Sequence, residues 1–282
     1  MGLPRDSAIR KTGRKLANRK ACRYGERVNV IGVQLDIVWE NKAANFDKVR
    51  RLLKEAAQEP GSLVVLPEMF ATGFTMNVEA MAEPYEGQTE QFLKQLAREH
   101  QAYLIGGAPM RSRAGQARNK ALVFGPAGEL LGYYSKMRPF APGGEAQHYH
   151  AGHSPVAIDC AGIKVAPFIC YDLRFPELFR QVTARHRPEL FVVIASWPEK
   201  RVAHWIRLLQ ARAIENQAYV IGVNRVGTDP YYTYPGRSLV LDYNGDVLAD
   251  GGGAEGLLKA TIDPGILAKY RQGLPFLADL KV

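Results

Sequence analysis

From Val28 onward, the hydrophobic positions of the chain follow two alternating periods. Short apolar runs have the length and the β-branched content of buried strands, and between them apolar residues recur at helical spacing. The strand-like runs are VNVIGVQLD, SLVVLPE, AYLIGGA, VAPFIC, ELFVVIAS and AYVIGVN. The clearest helical segments are FDKVRRLLKEAAQ, residues 88–99 and a long stretch from about Val202 to Asn216. This order predicts parallel β-α-β units.

Two stretches depart from that alternation and read as hairpins. NKALVFGPAGELLGYYSK is two strands around a Pro-Ala-Gly-Glu turn, and RSLVLDYNGDVLAD is two strands around Asn244-Gly245. GLLKATID is the last strand-like run. Parallel units mixed with hairpins predict either one mixed sheet or two packed sheets. A chain of 282 residues without repeats or an interdomain linker predicts one α/β domain around a large core.

The basic charge of the chain is concentrated at its N-terminus. The net charge is +9, and residues 1–27 hold nine basic and two acidic residues, which leaves +2 for the other 255 residues. Residues 1–27 have no clear apolar face and predict a disordered extension, with a targeting segment, a phosphate-binding arm or upstream sequence from an early start codon as alternatives. Because the remaining body is nearly neutral, we do not expect a nucleic-acid partner.

Membrane insertion and cysteine-based scaffolds are not indicated. No apolar run reaches the roughly 18 residues that a membrane span requires. The three cysteines, Cys22, Cys160 and Cys170, are odd in number and lack C-x-x-C spacing, so neither a disulfide framework nor a zinc site is predicted. A reducing compartment fits best, and we expect a cytoplasmic protein unless the basic tail directs it to an organelle.

Cys170 stands at the junction of a predicted strand and a predicted helix. Pro167 places that strand at an edge or a bulge, and Pro176 suits a first helical turn. A cysteine at a strand end is often a small buried hydrophobe. A helix start, however, favours a thiolate, which is the form that attacks carbonyl carbon. Both interpretations of Cys170 stay open at this point.

Polar residues end three further strands. Glu68 closes LVVLPE, Lys136 closes LLGYYSK, and Ser196-Trp197 closes LFVVIAS. Ligands of α/β sheets bind beyond the carboxyl ends of strands. Glu68, Lys136 and Cys170 would then supply a carboxylate base, a cation and a thiol to one pocket.

In their order and context these residues resemble the nitrilase superfamily of carbon–nitrogen hydrolases. The matching motifs are LPEMFATGF, YYSKMRPF, ICYDLRFPE and the segment 195–227, and HYHAG points to the omega-amidase-like branch. The resemblance implies an α/β fold of the αββα sandwich type, a homodimer, and neither metal nor organic cofactor. It runs from about Val28 to Asp263, which predicts a hydrolase domain over 28–264 and a C-terminal segment over 265–282.

The resemblance also implies a substrate and a mechanism. Members of that branch hydrolyse the side-chain amides of short 2-oxo acids, so the expected partner is a small-molecule amide. Cys170 would attack the amide carbonyl while Glu68 takes its proton, and a thioester would follow. Lys136 and the Tyr171 backbone N–H would stabilise the oxyanion. Glu145 matches a second glutamate of the family and would orient Lys136 or the amide.

The substrate-binding residues are less clearly indicated. Arg174 would bind a substrate carboxylate, or it would pair with Glu177 or Asp172 and hold the nucleophile turn. Arg138 is the other candidate for the carboxylate, in a segment that departs from the His-Leu-Phe of many relatives.

The aromatic candidates and one helical pair complete the set. Phe74 and Trp197 are expected to wall the pocket, although large aromatics near strand ends are core residues as often. Arg212 and Glu215 lie three apart on a helix, which predicts a structural ion pair.

Three classes of function follow from these observations. The first is an amidase acting on short oxo-acid amides. The second is another enzyme of the same scaffold, namely an N-carbamoyl amide hydrolase, a nitrilase or an acyltransferase. The third is a non-catalytic binding protein that holds RNA through its basic tail, against which the intact Glu68, Lys136 and Cys170 argue.

Overall fold

A computed structural model describes residues 27–56 and 59–281. The strands are β1 (Val28–Gln34), β2 (Leu63–Val65), β3 (Tyr103–Arg111), β4 (Ala117–Phe124), β5 (Leu130–Ser135), β6 (Ile158–Cys160), β7 (Ile163–Ile169), β8 (Leu190–Ala195), β9 (Tyr219–Asn224), β10 (Val226–Thr228), β11 (Thr233–Pro235), β12 (Leu239–Leu241), β13 (Val247–Asp250) and β14 (Gly256–Ile262). The helices are α1 (Lys42–Glu55), α2 (Val78–Met81), α3 (Gln88–His100), α4 (Glu145–His148), α5 (Pro176–His186), α6 (Val202–Asn216) and α7 (Pro264–Gly273). Short 3₁₀ helices cover Ala141–Gly143, Cys170–Arg174, Glu199–Arg201 and Phe276–Asp279.

The strands form two six-stranded mixed sheets and a separate β10–β11 ribbon. The first sheet has the order β14-β1-β2-β3-β4-β5, and the second has the order β13-β12-β9-β8-β7-β6. In the first sheet β1, β2 and β3 are parallel, and in the second β7, β8 and β9 are parallel, while the outer pairs are antiparallel. Both predicted hairpins, β4–β5 and β12–β13, are present.

The two sheets pack face to face, with helices on their outer faces. Side chains of both sheets share one core, in which the Tyr134 and Phe168 rings meet edge to face with their centroids 5.4 Å apart. A second core lies under α1 and α3 against the first sheet, and α5 and α6 cover the second sheet. Burying a side chain as large as Phe168 contributes about 1.5–3 kcal/mol. The fold is therefore the predicted αββα sandwich.

Local sequence signals set the ends of several elements. The Asn41 side chain accepts a hydrogen bond from the Ala44 N–H and caps α1. The Asp263 side chain accepts from the Ile266 N–H and caps α7, which begins at Pro264. Pro167 lies in β7 beyond the three residues that β6 pairs with, so at this position β7 pairs with β8 alone and its other side is an edge. This confirms the predicted edge character of β7 at Pro167.

The two ends of the chain differ in what the structure describes. Of residues 1–27 only Arg27 is described, and its guanidinium bonds Asp263 at 3.3 Å, so the prediction of a disordered extension falls almost entirely outside the described residues. At the other end, α7 docks on the body through Arg271, which donates to the carbonyls of Gln217 and Pro188. None of the described helices is long and apolar enough to span a membrane.

Candidate active site

Four side chains singled out in the sequence meet at one end of the sandwich. Glu68 follows β2, Lys136 follows β5, Glu145 begins α4, and Cys170 follows β7. The Lys136 ammonium donates to Glu68 Oε1 at 2.8 Å and to Glu145 Oε2 at 2.7 Å. All three charged side chains are at most 1% exposed, so this ion triad is closed to bulk water.

Close backbone approach fixes the turn that carries Glu68. β3 passes directly behind this turn, and a Cβ added at Gly107 would lie 2.6 Å from both the Glu68 Cα and the Met69 N. Any side chain at position 107 would therefore displace Glu68. The site accordingly depends on a glycine in the neighbouring strand as well as on its own charged residues.

Asn119 is a member of this cluster that the sequence analysis missed. Its side-chain amide nitrogen donates to Glu68 Oε1 at 2.7 Å and to Glu145 Oε1 at 2.9 Å, so it joins the two carboxylates. Asn119 is buried in β4. In the sequence Asn119 stands between Arg118 and Lys120, so nothing marked it as buried, and a polar residue that is buried needs partners.

The Ser196 peptide links the carboxylate to the thiol. The Ser196 N–H donates to Glu68 Oε2 at 2.8 Å, and the Cys170 thiol donates to the Ser196 carbonyl at 3.9 Å. Cys170 itself has φ of +48°, in the left-handed region that non-glycine residues seldom adopt. Such strain costs about 1–3 kcal/mol and concentrates at functional sites. The backbone conformation at the junction of β7 and the 3₁₀ turn thus fixes the direction in which the Cys170 side chain leaves the chain.

The surroundings of the Cys170 thiol disfavour its ionisation, contrary to one expectation. Burial raises the pKa of Cys170 well above its ordinary value, the charge of Glu68 raises it further, and Lys136 acts in the opposite direction. A helix start was expected to favour the thiolate; α5 begins at Pro176 as predicted, but a 3₁₀ turn separates it from Cys170. The one-turn 3₁₀ helix at Cys170 has too few aligned peptides to offset burial. Activation of the thiol therefore requires a base.

Lys136 remains a cation despite its burial. Burial alone would lower its pKa, but the charges of Glu145 and Glu68 more than compensate, and the pKa is raised well above the usual lysine value. A buried ammonium between two carboxylates is a preorganised positive charge. It stands ready to stabilise negative charge that develops beside Cys170.

Asp172 holds the nucleophile turn to the loop after β5. It is fully buried and accepts hydrogen bonds from the Ile169 N–H at 3.1 Å, the Tyr134 hydroxyl at 2.9 Å and the Arg138 N–H at 2.8 Å. Burial raises its pKa to about 7, although Lys136 and these hydrogen bonds act against that rise. Asp172 fixes the Cys170 turn relative to the segment that carries Lys136.

The two candidate arginines occupy different environments. Arg138 is half exposed, pairs with Glu177 at 3.6 Å and lies outside the residues that line the pocket at Cys170. Arg174 lines that pocket, with its guanidinium 4.7 Å from the Trp197 ring centroid and 3.4 Å from His204 Nδ1. The expected pairing of Arg174 with Glu177 or Asp172 is therefore wrong, because Arg138 takes Glu177 and backbone and tyrosine donors take Asp172.

Aromatic rings form most of the pocket wall. Phe74, Tyr171 and Trp197 line it as the sequence predicted, and Tyr171 is clamped edge to face between Phe140 at 5.1 Å and Phe175 at 5.2 Å. Ser196, which the sequence analysis named among the polar strand ends, also lines the pocket, and the sequence analysis missed Phe140, Pro198, Arg201, Tyr232 and Tyr234. The aromatic-rich DPYYTYP loop was a signal for the last two.

Ser196 offers the pocket an unused hydroxyl. Its Oγ is buried and has no hydrogen-bond partner, although the residue lines the pocket beside Cys170. An orphaned buried hydroxyl is costly unless an occupant of the pocket satisfies it.

Within the described residues, no group of three or more His, Cys, Asp or Glu side chains is arranged to hold a metal ion. Elsewhere, Arg212 and Glu215 form the predicted structural pair at 3.0 Å.

Comparison with known proteins agrees with this geometry. Residues 31–272 match the family model described as carbon-nitrogen hydrolase. The chain is 31% identical to the 2-oxoglutaramate amidase of Bacillus subtilis, over 88% of this chain and 96% of that protein, and 37% identical to the omega-amidase YafV of Yersinia enterocolitica, over 88% and 94%. The crystal structure of XC1258 from Xanthomonas campestris, a CN-hydrolase superfamily protein with an arsenic adduct in its active site, is 34% identical with a TM-score of 0.85, covering 91% of this chain and 98% of that one. The chain therefore belongs to the carbon–nitrogen hydrolase family.

Proposed function

We propose that the protein is a cysteine-dependent amidase that hydrolyses the side-chain amide of a short 2-oxo acid, such as 2-oxoglutaramate or 2-oxosuccinamate, to the acid and ammonia. The observation that carries the proposal is the buried Glu68–Lys136–Glu145 triad beside the Cys170 thiol, whose pKa is raised by burial and by the charge of Glu68. The names of the relatives from Bacillus subtilis and Yersinia enterocolitica support the same substrate class.

Acylation begins with the transfer of the thiol proton. Because the pKa of Cys170 is raised, the thiolate forms as Sγ attacks the amide carbonyl carbon, and Glu68 accepts the proton. The carbonyl oxygen becomes an oxyanion. The Lys136 ammonium and the Tyr171 backbone N–H stabilise that charge, an effect of about 3–4 kcal/mol per donor in comparable sites.

The tetrahedral intermediate then loses ammonia. Protonated Glu68 gives its proton to the leaving nitrogen, the C–N bond breaks, and a thioester to Cys170 remains. Glu68, again a carboxylate, takes a proton from water as the water oxygen attacks the thioester carbon. The C–S bond breaks, the proton returns to sulfur, and the acid leaves. One carboxylate thus serves both half-reactions.

Glu145 and Asn119 act on this chemistry through their neighbours. Glu145 holds the Lys136 ammonium at 2.7 Å and contributes to keeping it charged. The Asn119 amide holds Glu68 and Glu145 apart at a fixed spacing. Without them the base and the cation would remain present but would lose their alignment, on which electrostatic catalysis depends.

An ammonia-release screen tests the proposal. The panel contains 2-oxoglutaramate, 2-oxosuccinamate, glutamine, asparagine, an N-carbamoyl amino acid and a simple nitrile, each with wild-type protein and with Cys170→Ala. We expect the wild type to release ammonia fastest from a 2-oxo acid amide, and Cys170→Ala to release none. Preference for the N-carbamoyl compound or the nitrile would reassign the enzyme within the family.

We also propose that the protein is a cytoplasmic homodimer. The free Cys160 and Cys170 support a reducing compartment, and the family resemblance supports the dimer. Light scattering on a sizing column and fractionation of cells that express the full chain test the two statements. A monomeric mass, or recovery in an organelle or secreted fraction, would contradict them.

A further inference from the structure

Two arginines face the occupant of the Cys170 pocket from different segments of the chain. Arg174 ends the 3₁₀ turn after β7, and Arg201 ends the 3₁₀ turn after β8. Both line the pocket. Across residues 27–56 and 59–281 no carboxylate lies within 4 Å of either guanidinium, whereas seven other arginines of that part of the chain have such a partner: Arg27, Arg50, Arg51, Arg138, Arg212, Arg225 and Arg237.

Trp197 holds both arginines in place. Its ring lies under the Arg174 guanidinium at 4.7 Å, and its indole N–H donates to the Arg201 carbonyl at 2.8 Å. The Arg201 guanidinium lies over the Phe140 ring at 5.6 Å. Stacking on aromatic faces leaves the N–H edges of a guanidinium free to bind an anion. The two cations are therefore positioned without being neutralised.

The two charges also act on each other. Burial lowers the pKa of Arg174, and the charge of Arg201 lowers it further. An anion between the two guanidinium groups would relieve that repulsion and replace the missing carboxylate partners. The other pocket residues named above are aromatic rings, a proline, a thiol and the Ser196 hydroxyl, so the arginines are the groups suited to an anionic end of a ligand.

We propose that Arg201, together with Arg174, binds the carboxylate of the substrate and thereby selects amides of short dicarboxylic acids. This inference rests on the proposed amidase function. The amide reaches Cys170 while the far carboxylate lies between the guanidinium groups. Arg201 is then a specificity-determining residue: amides of similar length that lack the carboxylate bind weakly.

The test combines turnover and binding. Arg201→Met keeps the aliphatic stem and removes the charge, and Lys200→Gln removes an exposed charge next to it in sequence and serves as the matched control. Substrates are 2-oxoglutaramate and the neutral five-carbon pentanamide. Loss of a charged hydrogen-bond partner costs about 1.5–3 kcal/mol, so kcat/KM for 2-oxoglutaramate is expected to fall about 10- to 100-fold, mainly through KM. We expect a much smaller fall for pentanamide, which has no carboxylate to lose its partner, and we expect Lys200→Gln to match the wild type with both amides.

Calorimetric binding to catalytically inactive protein separates this inference from the proposed function. We expect Cys170→Ala to bind 2-oxoglutaramate and the double variant Cys170→Ala/Arg201→Met to bind it at least tenfold more weakly, with Arg201→Lys recovering part of the affinity. Equal affinity of the single and double variants, or an equal loss for both amides, would overturn the role of Arg201. Wild type that binds 2-oxoglutaramate through Arg201 without releasing ammonia would overturn the amidase proposal alone.

Discussion

Replacement of Glu145 by Gln tests how the ion triad works. Glu145 Oε2 accepts from the Lys136 ammonium at 2.7 Å and the Phe140 N–H at 2.6 Å, and Oε1 accepts from the Asn119 amide at 2.9 Å. A glutamine of the same size has a single side-chain oxygen. That oxygen must take the Oε2 position, because the Lys136 ammonium and the Phe140 N–H both donate there. Its NH₂ group must then face the Asn119 NH₂ group. Asn119 cannot turn over without losing its bond to Glu68.

The magnitude follows from the bonds that change. One hydrogen bond to a buried charge is lost, and such a bond is worth about 1.5–3 kcal/mol. Among the described residues, Glu68 is then the one carboxylate within 4 Å of the Lys136 ammonium, which is therefore less well fixed near the oxyanion. We expect kcat/KM to fall about 10- to 100-fold on this basis. The melting temperature should fall by only a few degrees, about 2–4 °C for each kcal/mol in a domain of this size.

The assay pairs turnover with thiol reactivity. The charge of Glu145 is one cause of the raised pKa of Cys170, so its removal favours the thiolate, and the pH midpoint of iodoacetamide labelling should move to lower pH. Glu79→Gln, at an exposed position of α2, is the matched control and should change neither quantity. An unchanged rate, or a midpoint that stays in place or rises, would refute the reasoning for Glu145.

Three further predictions concern other parts of the molecule. Lys136→Met should lower kcat by about 100-fold or more while Glu68 stays in place, as measured by steady-state kinetics, and near-normal kcat would remove Lys136 from the mechanism. The pKa of Asp172 is raised to about 7 in the folded protein, so between about pH 4 and pH 7 the folded protein holds a proton on Asp172 that the unfolded chain has lost. Binding of this proton stabilises the fold, and that stabilisation is lost as the pH rises from about 4 to about 7. Asp172→Asn should flatten this part of the melting-temperature profile, and an identical slope in both proteins would contradict it. Deletion of residues 1–26 should leave melting temperature and turnover nearly unchanged, and a large loss of either would show that this segment contributes to the body.

The residues that end strands were predictable from sequence, and the residues between them were not. Glu68, Lys136 and Cys170 each follow an apolar run, and the carboxyl ends of strands are where α/β proteins gather ligand-binding groups. Asn119 lies inside a strand, where register alone decides which face a side chain takes. Arg201 lies in a 3₁₀ turn whose direction depends on packing against Trp197.

The wrong expectations have the same origin. The thiolate prediction relied on the helix that begins at Pro176, and it does begin there, but the 3₁₀ turn Cys170–Arg174 separates the thiol from the start of that helix. The pairing predicted for Arg174 used neighbours in sequence, whereas Arg138 from another segment reaches Glu177. Local patterns give element types and termini, while ion pairing depends on which segments the fold brings together.

The central claim is that Glu68 activates the buried Cys170 thiol. Rapid mixing of 2-oxoglutaramate with wild type and with Glu68→Gln, followed by quenching, ammonia quantification and intact-protein mass spectrometry, tests it most directly. Wild type should release ammonia and carry an acyl group on Cys170 during turnover. Glu68→Gln should release no burst of ammonia and carry no acyl group, with wild-type secondary structure, because glutamine cannot accept the proton. A full stoichiometric burst of ammonia in Glu68→Gln, followed by slow turnover, would show that acylation proceeds without Glu68 and would move the role of base to Glu145.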